Sequence, residues 1–144
     1  MREILFRGKR ADNAEWVEGD LIQIGGGTMI YYASKFEVEI EPQMDAMDAS
    51  VKFYPNEITV VIPKTVGQFT GLTDKNGVKI FEGDILGGCN GSINGCEWEE
   101  KPFEVKLQLG RFNVPLWAAK EEWDSTHYLT VIGNIHDNPE LINK

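Results

Sequence analysis

The sequence predicts a mostly-β protein built as small barrels or sandwiches. Three observations carry this. Fifteen glycines accompany several runs of β-branched and aromatic residues, a balance that favours strands and tight turns over long helices. Two segments, FEVEIE (36–41) and FEVKLQL (103–109), alternate apolar and polar residues in the period of a half-exposed strand. Turn signals recur at roughly 8–12-residue spacing along the chain. The 144 residues are 42% hydrophobic, enough to pack one ordinary domain or two very small ones.

The elements follow in order. Residues 3–9 (EILFRGK) read as a first strand and 11–14 as a turn. Residues 16–24 are extended, broken by Gly19 and ended by Gly25, Gly26 and Gly27. These glycines lack the Lys-Ser/Thr and the following helix of a phosphate loop. TMIYYA (28–33) is apolar throughout and reads as a buried strand. In FEVEIE, Phe36, Val38 and Ile40 share one face, and the three glutamates form a solvated one. Residues 42–50 are a polar connection, followed by short strands in VKFYP and EITVVIP. Pro63 marks the boundary between an N-terminal β module, 1–64, and a C-terminal domain, 65–144.

In the second half, 68–72 is a strand and Asp74-Lys75-Asn76-Gly77 a hairpin turn. Asn76-Gly77 tolerates the positive φ that primed turns require. VKIF, then Glu82-Gly83-Asp84, then the pair Ile85-Leu86 come next. Residues 87–102 read as a Gly/Asn-rich loop holding both cysteines. FEVKLQL places Phe103, Val105, Leu107 and Leu109 in phase, and 112–118 is extended. Residues 118–124 read as helical and 128–132 as the last strand. Asn138 as N-cap with Pro139 at the first helical position predicts a short terminal helix.

One phrase occurs twice. Phe6, Gly8 and Glu18-Gly19-Asp20 correspond to Phe69, Gly71 and Glu82-Gly83-Asp84. A hairpin closed by Gly-Asp before an apolar strand is a recurrent opening of small SH3-like barrels. Gly permits a bend and Asp bonds nearby amides. An internal repeat relating the two halves, and a scaffold role for the phrase, are the expectations.

GQFTGLTDKNGVKIFEGDIL (67–86), VIGNIHDNPELI (131–142) and the opening ILFRGKRADNAEWVEGDLI (4–22) together resemble the YopX-like family of phage and prophage proteins. The three motifs stand in the family's order, and Asn134, Asn138 and Pro139 belong to the third. The resemblance implies a mostly-β protein with an SH3-like β-barrel in its C-terminal part, encoded by a phage or prophage. It supplies no catalytic residue.

Charge disfavours some functions. The chain carries 14 basic and 23 acidic side chains, a net −9; residues 1–64 hold 7 and 11, and 65–144 hold 7 and 12. Neither half is the basic one, so nonspecific nucleic-acid binding, which needs Lys/Arg to replace counterions, is disfavoured on both, as is an anionic membrane surface. The start lacks an apolar signal core and no run approaches a membrane span, so the expectation is a soluble chain in the bacterial host cytoplasm.

Candidate chemistry is sparse. Cys89 and Cys96, with His127 and His136 downstream, have ligand-type atoms, but the cysteine spacing is wider than zinc pairs use, so no metal or cofactor is assigned. His136 has no nominated acid or nucleophile partner and reads as a turn residue. Glu18/Asp20 and Glu82/Asp84 have the i, i+2 spacing of paired carboxylates, yet the intervening Gly fits a turn better, and no catalytic residue is assigned. Trp98, Trp117 and Trp123 are candidates for a protein-binding groove. The expected function is a non-enzymatic protein-interaction or assembly module, homo-oligomeric, with an unidentified protein partner. An accessory factor in phage nucleic-acid processing is the alternative, and a small enzyme using the acidic pairs or the Cys/His set the third reading.

Overall fold

The computed structural model describes residues 3–32, 35–39, 50–54, 57–89, 99–108, 110–113 and 129–143. The chain is mostly β, in antiparallel sheets, and divides into two compact units, Leu5–Val66 and Met1–Ile4 with Gly67–Lys144.

The N-terminal unit is built on β1 (Phe6–Lys9), β2 (Trp16–Ile24), β3 (Gly27–Tyr32) and β6 (Glu57–Val60), each antiparallel to the next. Gly25 and Gly26 both have positive φ, 60° and 82°, and form the two-residue turn that joins β2 to β3. Past β6 the chain returns to the end of β1. Ile62 N–H donates to the Lys9 carbonyl at 2.8 Å and Ala11 N–H to the Val60 carbonyl at 2.9 Å. The sheet thereby folds back on itself at this end. Its inner side holds Thr28, Ile30, Val61 and Thr65. Gly8 leaves little room there: a Cβ would stand 3.2 Å from Val61 Cβ, so a larger residue would press on the Val61 and Ile30 side chains. Thr65, in a single 3₁₀ turn (Pro63–Thr65), accepts from Lys9 N–H and donates to the Ile62 carbonyl. A separate hairpin pairs β4 (Lys35–Glu39) with β5 (Ser50–Tyr54).

TMIYYA is therefore not buried throughout. Thr28 and Ile30 point inward, whereas Met29 and Tyr31 lie on the opposite, partly solvated side. One sheet face is packed and the other is not, so alternation overrides the uniformly apolar composition.

The C-terminal unit opens with the hairpin of β7 (Gly67–Thr73) and β8 (Lys79–Phe81). A three-stranded sheet follows, with β9 (Asp84–Cys89) between β10 (Glu99–Glu104) and β13 (Leu129–Asn134). β11 (Leu107–Gln108) and β12 (Arg111–Phe112) form a short ribbon. Ile80, Leu86, Val105 and Leu129 make the core, flanked by Leu72, Phe103, Phe112 and Val131. Phe69 and Phe81 pack with ring centroids 5.5 Å apart.

Four local expectations change. The cysteine loop is shorter than 87–102, because β9 runs to Cys89 and β10 starts at Glu99. FEVKLQL is not one strand. Asn113 accepts from Lys106 N–H and donates to the Glu104 carbonyl, bending the chain so that Val105 is buried while Leu107 is exposed. The 74–77 turn is not primed. Gly77 has positive φ (79°) but Asn76 does not, so three residues connect Asp74 to Val78 and Gly77 supplies the bulge. The terminal helix is a single 3₁₀ turn, Pro139–Leu141, and the Asn138 side chain makes no cap bond. Asn138 packs on β13 instead, where a Cβ on Gly133 would meet its Oδ1 at 2.6 Å. The helix expected over 118–124 lies outside the described residues.

Candidate functional site

The repeated phrase takes two different backbone geometries. In its first occurrence Gly8 sits in β1 and Gly19 in mid-β2, opposite Phe6, and neither has positive φ. Gly19 is needed because a Cβ would lie 2.1 Å from the Tyr31 carbonyl oxygen. Glu18 and Asp20 are exposed. In the second occurrence Gly71 has φ 85° within an irregular stretch of β7, and Gly83 has φ 86° in the turn between β8 and β9. The same letters thus answer different demands: close strand approach in one unit, a tight turn in the other.

That second turn is a junction. Gly83 N–H donates to the Val105 carbonyl at 2.9 Å, and the Gly83 carbonyl accepts from Ile135 N–H at 2.9 Å. Asp84, 1% exposed, accepts from Phe81 N–H at 2.8 Å. Asp74, 3% exposed, accepts from Asn76 and Val78 N–H through Oδ1 and from Val131 N–H through Oδ2. It ties the β7–β8 hairpin to β13. Both buried carboxylates are therefore engaged by backbone amides. Asp74 was not singled out in the sequence, although Asp at the first position of a turn is a known signal. Asn134 plays the corresponding part after β13, accepting from His136 and Asp137 N–H. His136 is half-buried in that turn. Among the described residues no three His, Cys, Asp or Glu side chains come together as a metal site.

Cys96, His127, Trp98, Trp117 and Trp123 lie outside the described residues, so the tryptophan groove falls there, and of the Cys/His set only Cys89, at the end of β9, and His136 are described.

A different surface stands out. Cross-strand partners share a face, and the register aligns Ile22 with Met29 and Val60, and Asp20 with Tyr31 and Ile58. Ile24 continues the same face along β2. Ile24, Ile58 and Val60 retain 69%, 59% and 56% of their surface exposed. On a small unit such a cluster is more than scattered surface apolarity. Farther along the face, Asp20 and Glu18 are followed by Trp16, with Arg7 and Lys9 opposite on β1. The Arg7 guanidinium lies 4.7 Å and Lys9 Nζ 5.5 Å from the Trp16 ring centroid. At the β3–β6 edge, the Tyr32 hydroxyl donates to Glu57, which holds the phenol above its ordinary pKa. Sequence reading missed this face because Ile58 and Val60 alternate with Glu57 and Thr59, a pattern that would put the two aliphatic side chains on the packed side, whereas they are exposed.

No helix among the described residues is long and apolar enough to cross a membrane. No curated protein matches the chain. Among solved structures it is similar to the crystal structure of protein EF1440 from Enterococcus faecalis, at 27% identity and a TM-score of 0.58, over 99% of this chain and 100% of that one. The model of the family described as YopX protein matches residues 5–143, and the chain belongs to that family.

Proposed function

We propose that the protein is a non-enzymatic interaction module of phage or prophage origin, working in the cytoplasm of a bacterial host. The observation that carries this is the apolar face on which Ile24, Ile58 and Val60 are exposed beside half-buried Ile22 and Met29. Leaving such side chains in water forfeits roughly 25 cal/mol per Å² of apolar surface, a loss that a partner recovers on docking. The engagement of Asp74 and Asp84 by backbone amides supports a structural role for the buried acids over proton transfer. For the C-terminal unit, a hairpin feeding through a tight turn into a three-stranded antiparallel sheet supports an SH3-like arrangement.

The test compares affinity capture from phage-induced host cells by wild type and by Ile58→Asp/Val60→Asp. Both positions are exposed, so the variant should melt with the wild type. A partner retained by wild type and lost by the folded variant is expected. Identical protein sets on both would overturn the reading.

A further inference from the structure

We propose that the exposed face of the N-terminal unit docks a protein segment whose apolar side chains are flanked by lysine or arginine. The inference rests on the interaction-module reading and adds the chemistry of the partner.

The face is chemically two-sided. Its apolar part is Ile22, Ile24, Met29, Ile58 and Val60. The next outward positions along β2 are Asp20 and then Glu18, both exposed. Among the described residues the cationic side chains of this face are Arg7, directly opposite Glu18, and Lys9, opposite Trp16; both lie over the Trp16 ring, which leaves Asp20 as the acid at the apolar border. A ligand on the apolar part therefore meets acid at its border. The wider field has the same sign, since the chain carries −9 and both halves are negative. Complementary charge steers a cationic partner and fixes its register, while apolar burial supplies most of the affinity. A second copy fits less well, because two chains at −9 repel as they approach.

The experiment uses the full chain and three fluorescein-labelled ten-residue peptides that alternate valine with lysine, serine or glutamate, read by fluorescence anisotropy. The Val/Lys peptide should bind best and the Val/Glu peptide least. Raising salt from about 0.05 to about 0.5 M should weaken the Val/Lys complex about tenfold. Asp20→Lys should weaken it by a similar factor and Ile58→Asp should abolish it. Glu140→Lys, the same charge change on an exposed residue of the other unit, should leave it unchanged. If Ile58→Asp unfolds the unit, Glu18→Lys with Asp20→Lys carries the test. Equal weakening by Glu140→Lys and Asp20→Lys would mean nonspecific charge attraction and overturn the proposal. A wild-type dimer in sedimentation, made monomeric by Ile58→Asp, would also overturn it, while leaving the interaction-module reading standing. Absence of both peptide binding and self-association would count against both.

Discussion

Replacing Gly83 by alanine and by asparagine separates two reasons for needing glycine, and the same pair of changes at Gly19 supplies the contrast. Gly83 has φ 86°, and a Cβ there would meet Ile135 Cγ1 at 3.7 Å and His136 Nε2 at 3.8 Å, ordinary contact distances. Space is available, so the cost of Gly83→Ala is conformational, about 1–2 kcal/mol for an L-residue held at positive φ. Asparagine tolerates that region better, so Gly83→Asn should recover part of the loss, roughly 0.5–1 kcal/mol. Gly19 is the reverse case. Its φ is not positive, but a Cβ would fall 2.1 Å from the Tyr31 carbonyl oxygen, a backbone atom of the paired strand. Either substitution there must push β2 from β3, at about 3 kcal/mol, the upper end of the overpacking range, with no advantage for asparagine. Urea denaturation followed by far-UV circular dichroism reads the difference. With a slope of roughly 1–3 kcal/mol per molar urea, 1.5 kcal/mol is on the order of a 0.5–1.5 M midpoint shift. If the units unfold in separate transitions, Gly83 variants should move one and Gly19 variants the other. Gly83→Asn no better than Gly83→Ala would refute the positive-φ argument. Recovery by Gly19→Asn over Gly19→Ala would refute the steric one.

The acids of the repeated phrase should behave as differently as its glycines. Asp84→Ala leaves the Phe81 amide without this buried acceptor and should cost about 1–3 kcal/mol, whereas exposed Asp20→Ala should stay within about 0.5 kcal/mol, both read from urea midpoints. Asp74→Ala removes the acceptor of three amides and should cost roughly 2–3 kcal/mol, with Asp74→Asn milder because one carbonyl oxygen remains; equal midpoints for the two would argue against hydrogen bonding as the cause. Fluorescence anisotropy with a random-sequence duplex at about 0.15 M salt should show no binding in the micromolar range, since both halves are acidic, and binding there would reverse the charge argument.

The sequence by itself determined the β class, the family and most strand positions, because alternation, glycine and turn residues act over a few neighbours. The first four residues of FEVEIE fall in β4, with Ile40 and Glu41 outside the described residues, and Asp74-Lys75-Asn76-Gly77 became a hairpin turn for that reason. Tertiary structure decided whatever depends on partners distant in the chain. Asn113 broke FEVKLQL by bonding back to Glu104 and Lys106. Val131 brought a third amide to Asp74 from 57 positions away. Glu-Gly-Asp reads alike twice, yet Tyr31 crowds the first glycine and the β8–β9 turn twists the second. The candidate face was illegible for the same reason. Ile30 and Ile58 are the same residue type in β-prone runs, and only the packing of one sheet side buries the first and leaves the second 59% exposed.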